Sequence, residues 1–234
     1  MLITGGTTGI GRATAILLAK WGANIFIFGR HQKDLDSALD NIKKESGHQG
    51  YGMLADVTDL DSLELVFENF DSTLGRFDAL INNAGMAGRS IVNSTKEQIK
   101  QLIATNFTGY LYCAKLAIER MKKYESGHII NVGSLSAFTR DADTDLYVAA
   151  KAGVEGFNES LRKLISPGIK VSIIHSGSVG TEMIDESMEE QREAENQMLL
   201  LRAEDVALAI LYMINQPPRV EILSIQLRAH RQII

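Results

Sequence analysis

The chain has a single cysteine among 234 residues, which excludes an intrachain disulfide. Cys113 reads instead as a small buried apolar residue. Histidine is scarce as well, five in all. No His or Cys pair stands at metal-ligand spacing, so no structural metal is expected. Long apolar runs are missing too. A representative stretch, Asn24 to Phe28 between Gly22 and Gly29, is far too short to span a bilayer. No charged-then-apolar leader precedes Leu2, Ile3 and Thr4, which makes a cytoplasmic setting the expectation. Basic charge is not in excess: the formal net charge is −5. Without a basic stripe, a nucleic-acid partner is not expected. The densest charge, Glu182 to Glu195, is acidic and reads as a solvated helix face or a mobile segment.

What is present is ordinary for a globular α/β domain, with 45% hydrophobic and 23% charged residues. Strands are expected near 1–4, 24–28, 50–54, 78–82, 127–132, 170–175 and 221–227. Most are continuous apolar runs, such as Ile25-Phe26-Ile27-Phe28 and Val171-Ser172-Ile173-Ile174. Such runs belong to strands covered on both faces, as in a parallel sheet. Between them lie helical stripes: Ile10, Ala13, Leu17 and Leu18, then Leu60, Leu63, Val66, Phe67 and Phe70. Asp59 is placed to cap the third helix, Ser94 and Glu97 have capping-box spacing, and Gly47 follows Lys43 and Lys44 as a stop. Repeated β-α-β order with right-handed crossovers predicts a Rossmann-type, doubly wound three-layer sandwich, its seven-stranded sheet mostly parallel. Neither repeat nor linker divides 1–234, so one domain is expected.

The first strand runs into Thr4-Gly5-Gly6-Thr7-Thr8-Gly9-Ile10-Gly11, which opens the first helix. Glycines there permit a tight turn and close approach of a pyrophosphate, and the helix N-terminus supplies unpaired N–H groups. Further on, Tyr147 and Lys151 are four apart at the start of a helix and project from one face. That spacing alone proves little, since a surface pair produces it too. Its position is more informative: Ser134 stands thirteen residues before Tyr147, just past the fifth strand. Ser136 is nearby, but the spacing favours Ser134. Asn82-Asn83-Ala84-Gly85 ends the fourth strand, Asp56-Val57 the third, and Asn106 falls in the helix between. Open α/β sheets bind ligands at this edge.

In these motifs, and in the T-G-x-x-x-G-x-G form of the glycine turn, the sequence resembles the short-chain dehydrogenase/reductase family over nearly its whole length. Within it, the likeness is to 3-oxoacyl-(acyl-carrier-protein) reductase-like members. The resemblance implies a nicotinamide-dependent oxidoreductase acting on a carbonyl or secondary alcohol, a β-ketoacyl or related ketone among the expected substrates. It implies Tyr147 as general acid/base, Lys151 as the group that holds the nicotinamide ribose and lowers the tyrosine pKa, Ser134 on the substrate oxygen, and Asn106 anchoring a relay water. It places Thr4, Gly5, Thr7, Thr8, Gly9, Ile10 and Gly11 under the cofactor phosphates, Asp56 and Val57 at adenine, Asn82, Ala84 and Gly85 at its ribose, and Val179 and Thr181 at the carboxamide. It also implies a homotetramer or homodimer packed through the helices carrying Asn106 and Tyr147. The chemistry is coherent: bringing a tyrosine from pKa ~10 to neutrality takes roughly 4 kcal/mol, and a fixed ammonium has the right sign.

NADP is expected over NAD. No acid follows the second strand, where Gly29 stands in its place, and Arg30 is suited to a 2′-phosphate. The family pattern is broken after the sixth strand, where Ser176 replaces a proline in Ser176-Gly177-Ser178-Val179-Gly180-Thr181. Residues 182–200, with Met183, Ile184, Met188, Met198, Leu199 and Leu200, are expected to cover the substrate or simply to pack down. Leu135 to Asp145 are expected to line the pocket, made acidic by Asp141, Asp143 and Asp145 unless these face water. The competing function is a non-catalytic dinucleotide-binding regulator, against which the intact Ser134, Tyr147, Lys151 and Asn106 argue.

Overall fold

Each apolar run becomes a strand that sends alternate side chains to opposite faces. In the computed structural model, which describes residues 1–88, 90–165, 167–184 and 186–233, the strands are β1 Leu2–Thr4, β2 Phe26–Gly29, β3 Tyr51–Leu54, β4 Ala79–Asn82, β5 Gly127–Val132, β6 Ile169–Ser176 and β7 Ser224–Leu227. They form one sheet in the order β3-β2-β1-β4-β5-β6-β7. All six pairings are parallel, so the sheet has no antiparallel member among the described residues. The helices are α1 Gly9–Lys20, α2 Gln32–Ser46, α3 Leu60–Leu74, α4 Lys96–Ile103, α5 Gly109–Met121, α6 Ser136–Thr139, α7 Asp145–Leu164, α8 Met188–Asn196 and α9 Ala203–Ile214. A π-helical turn, Ala104–Thr108, joins α4 to α5.

The two faces of the sheet carry separate cores. Leu2, Phe26, Phe28, Leu80 and Ile129 pack with Leu63, Val66, Phe67 and Phe70 of α3 and with Cys113, Ala114 and Ala117 of α5. Phe77 lies 4.6 Å from Phe70 and 5.4 Å from Phe67 between ring centroids. Ile3, Ile27, Ile81 and Ile130, one residue out of phase with the first set, meet α1, α2 and α9. Cys113 is fully buried, and burial pushes its thiol pKa up, as suits a packing residue.

Two local readings shift. The face α1 buries is Gly11, Thr14, Ala15, Leu18 and Ala19, which shares only Leu18 with the expected stripe. Ile10, Ala13 and Leu17 are only partly covered. The small residues lie innermost because α1 packs against α9 as well as the sheet. The capping box falls one residue later than expected. Thr95 and Gln98 exchange the two bonds, at 3.2 and 2.9 Å, because the Ser94 hydroxyl donates to the Ser90 carbonyl. Asp59 does cap α3, accepting from the Ser62 amide at 3.3 Å, and Gly47 closes α2 at φ 75°. Among the described residues no helix is long and apolar enough to cross a membrane. The sheet order reverses between β1 and β4, and the carboxyl ends of both strands open at that switch point.

Candidate active site and cofactor cleft

The glycine turn is held from beneath by the end of β4. The Thr4 hydroxyl accepts from the amides of Asn83 and Ala84 at 2.9 and 2.8 Å. The Asn83 side chain donates to the carbonyls of Thr4 and Gly5. Gly5 has φ 60°, and a Cβ there would come within 2.9 Å of the Ala84 Cα. Only glycine meets both demands. Thr8 begins α1 without a side-chain cap, which leaves the first N–H groups of the helix to a ligand. Arg12 ties the turn down by donating to the Thr7 carbonyl at 2.6 Å. Ile10 is half-buried at the head of the helix, and Thr181, from the segment after β6, lies against Gly9.

The Thr7 side chain is buried and fills the space beside Gly29, where a Cβ would sit 2.5 Å from its hydroxyl. No acidic side chain fits at 29 while Thr7 holds that place. Arg30 extends beyond it, half exposed, with Nη1 3.9 Å from Asp56 Oδ2. Asp56 is otherwise engaged by the amide and hydroxyl of Thr58. Val57 is buried in the core.

At the other end, Tyr147 and Lys151 lie one turn apart on α7, and Ser134 follows β5. The Ser134 hydroxyl donates to the Ser136 hydroxyl at 3.2 Å and sits close enough to Tyr147 to favour its ionised form. Lys151 is 3% exposed. Its Nζ donates to the Val132 carbonyl at 2.8 Å and to the Tyr110 hydroxyl at 3.2 Å. Burial pulls its pKa down to about 7. Burial raises Tyr147 above its usual 10, and Ser134 opposes this only in part. Without a ligand, burial thus acts against the lowered tyrosine pKa that the resemblance implies.

Asn106 sits in the π-helical turn, and its side chain both accepts from and donates to the Met86 backbone, at 2.9 and 2.8 Å. The Asn82 side chain is turned inward, donating to the Tyr110 carbonyl and to Asn131, which donates in turn to Asn158. Ala84 packs under Gly5, and the Met183 methyl lies 3.6 Å from where a Gly85 Cβ would project. Val179 is buried and bridges to Leu201. Asp145 is committed to structure: it is held ionised below its usual range by bonds from Ser90 and the Ile91 amide. Asp141 and Asp143 face water.

Sequence reasoning missed Asn83, Tyr110, His175 and Glu155. Asn83 stands inside the Asn82–Gly85 motif, the one position there to which no role was attached. Nothing local marks the others, because their partners are 20 to 41 residues away in sequence. His175 is fully buried on β6, with Nδ1 3.2 Å from the Ser134 carbonyl and Nε2 2.6 Å from Glu155 on α7. It thereby joins the strand and helix that flank Ser134.

The family model for short chain dehydrogenase matches residues 1–192. The chain belongs to the short-chain dehydrogenase family. It is 35% identical over 193 residues to a 3-oxoacyl-(acyl-carrier-protein) reductase of Haemophilus influenzae, covering 82% of this chain and 78% of that one. An uncharacterized oxidoreductase of Staphylococcus aureus is 31% identical over 229 residues, 97% of this chain and 95% of the other. Among solved structures, a single-substitution variant of the actinorhodin polyketide ketoreductase with NADPH superposes with a TM-score of 0.87 at 26% identity, over 97% and 95% of the two chains. An alcohol dehydrogenase of Thermococcus sibiricus, complexed with 5-hydroxy-NADP, shares the fold at a TM-score of 0.89 and 20% identity, over 100% and 97%. The chain is thus a nucleotide-binding oxidoreductase of this family.

Proposed function

We propose that this oxidoreductase reduces a ketone, with a β-ketoacyl thioester or related ketone as substrate class, using NADPH and Tyr147 as proton donor. The observation that carries the reading is the convergence of Ser134, Tyr147 and Lys151 at the carboxyl edge of the sheet, beside an uncapped helix N-terminus. The residues present fit a dinucleotide. Thr4, Gly5, Gly9, Ile10 and Gly11 form a backbone cradle whose amides suit a pyrophosphate, and Thr7 and Thr8 border it. When bound, the nicotinamide supplies the hydride. Ser134 donates to the substrate oxygen and orients the carbonyl, and Tyr147 Oη gives that oxygen its proton. Lys151 has three N–H donors and two acceptors within the protein, so one donor remains for the ribose hydroxyls. Its ammonium, with the positive charge of the oxidised cofactor, lowers the cost of tyrosinate.

NADP is preferred in this reading because Thr7 occupies the place of a ribose-binding acid and Arg30 is exposed and able to pair with a 2′-phosphate. Asp56 and Val57 border adenine, Ala84 and Gly85 its ribose, with Asn82 supporting them from within. Val179 and Thr181 meet the carboxamide, and residues 182–200 cover the substrate; Asp185 lies outside the described residues. The chain acts as one domain over 1–234 and, by family likeness, as a cytoplasmic homodimer or homotetramer. Sedimentation as a monomer would contradict that assembly. The functional test is NADPH consumption over a panel of ketones, diketones, quinones and β-ketoacyl thioesters. The expected result is turnover of at least one, reduced by ~10²- to 10⁴-fold in Tyr147→Phe. Equal turnover in the variant overturns the reading.

A further inference from the structure

Lys151 lies between two tyrosines. Its Nζ is 4.9 Å from the ring centroid of Tyr110 and 5.8 Å from that of Tyr147. Tyr110 opens α5, four residues after Asn106, and is fully buried. Its hydroxyl donates to the Val132 carbonyl at 3.1 Å, which orients a lone pair to accept from Lys151 at 3.2 Å. Its own backbone carbonyl is held by Asn82. We propose that Tyr110 is a positioning residue for the catalytic lysine, its fixed hydroxyl keeping Lys151 Nζ charged and aimed toward Tyr147. The inference rests on the proposed role of Lys151.

The need for such a residue follows from burial. A lysine taken out of water is driven toward its neutral form unless acceptors replace its hydration. Among the described residues no carboxylate pairs with Lys151, and burial lowers its pKa. The titratable groups around it are Tyr110 and, one turn on, Cys113 from α5, and Tyr147 from its own helix. From β5 comes the Val132 carbonyl. Glu155, further along α7, faces His175 of β6 instead. The Tyr110 hydroxyl and the Val132 carbonyl are thus the acceptors for the ammonium among the described residues. A covalently anchored hydroxyl, unlike a water, is already oriented before a ligand arrives.

Tyr110→Phe removes that acceptor and keeps the ring. The probe is the Nζ resonance of Lys151 in [15N]lysine-labelled protein without cofactor, assigned by its loss in Lys151→Met. The expected result is a titration midpoint lower by about one unit in Tyr110→Phe, since a hydrogen bond to an ammonium favours the charged form. From a midpoint of about 7, that shift predicts a deficit in ketone reduction that grows with pH, from about twofold at pH 6 to about tenfold at pH 8. An unmoved midpoint, or a deficit constant with pH, overturns the proposal and leaves Tyr110 a packing residue. Undiminished turnover in Lys151→Met would instead overturn the role of Lys151.

Discussion

Burial without a charged partner acts on several side chains here, with opposite signs for acids and bases. His128 shows the effect away from the cleft. It is enclosed between strands with Nε2 2.7 Å from the Ser172 hydroxyl. Burial first, and Lys170 second, lower its pKa from the usual 6.5 to about 4. Folded His128 is then neutral between those values while the unfolded chain binds a proton, so stability falls as pH drops through that window. The group accounts for a loss on the order of 3 kcal/mol between pH 6.5 and 4. His128→Asn should flatten that part of a plot of urea-unfolding stability against pH; identical slopes in the two proteins would contradict the assignment. Arg30 is the other residue with a sharp expectation. As an exposed partner of Asp56 it adds little stability. Arg30→Gln should therefore weaken NADPH binding about tenfold, as loss of a charge-assisted bond does, while leaving NADH affinity unchanged in a binding titration. Equal weakening of both would count against the 2′-phosphate contact.

At the scale of elements, the site depends on what joins them. The π-helical turn Ala104–Thr108 lies between α4 and α5, and it places Asn106 against Met86 and Tyr110 against Lys151. Residues after β6 are anchored at both ends: Val179 bridges to Leu201, and Arg231 donates to the Met198 carbonyl. Between them α8 is mostly exposed and carries its own capping box, Ser187 with Glu190. A cover of this kind should lose protease sensitivity across 182–200 when NADPH is added, as read by the cleavage rate; an unchanged rate would assign the segment to packing alone. The strands and this edge were legible because burial on both faces leaves continuous apolar runs, as in Ile25 to Phe28. The glycine turn and the Tyr147–Lys151 pair were legible because each is local. The inner face of α1 was not, since small residues such as Gly11, Thr14 and Ala15 are chosen by the approach of α9, which lies far along the chain. Nor were Tyr110 and His175, whose roles depend on β5 and α7 meeting them in space.

For the whole molecule, the all-parallel order sends the turns after β1, β2, β3, β4, β5 and β6 to one edge, where open α/β sheets bind ligands. Arg30 follows β2, Asp56 follows β3 and Ser134 follows β5, all on that edge. In the proposed reaction, hydride passes to a carbonyl only when Tyr147 Oη can deliver a proton. The most direct test is transfer of deuterium from [4-2H]NADPH to a ketone substrate, measured by product mass in the native protein and in Tyr147→Phe. The account predicts a product one mass unit heavier from the native protein and almost none from the variant, with NADPH affinity retained. Label transferred equally by both proteins would contradict it.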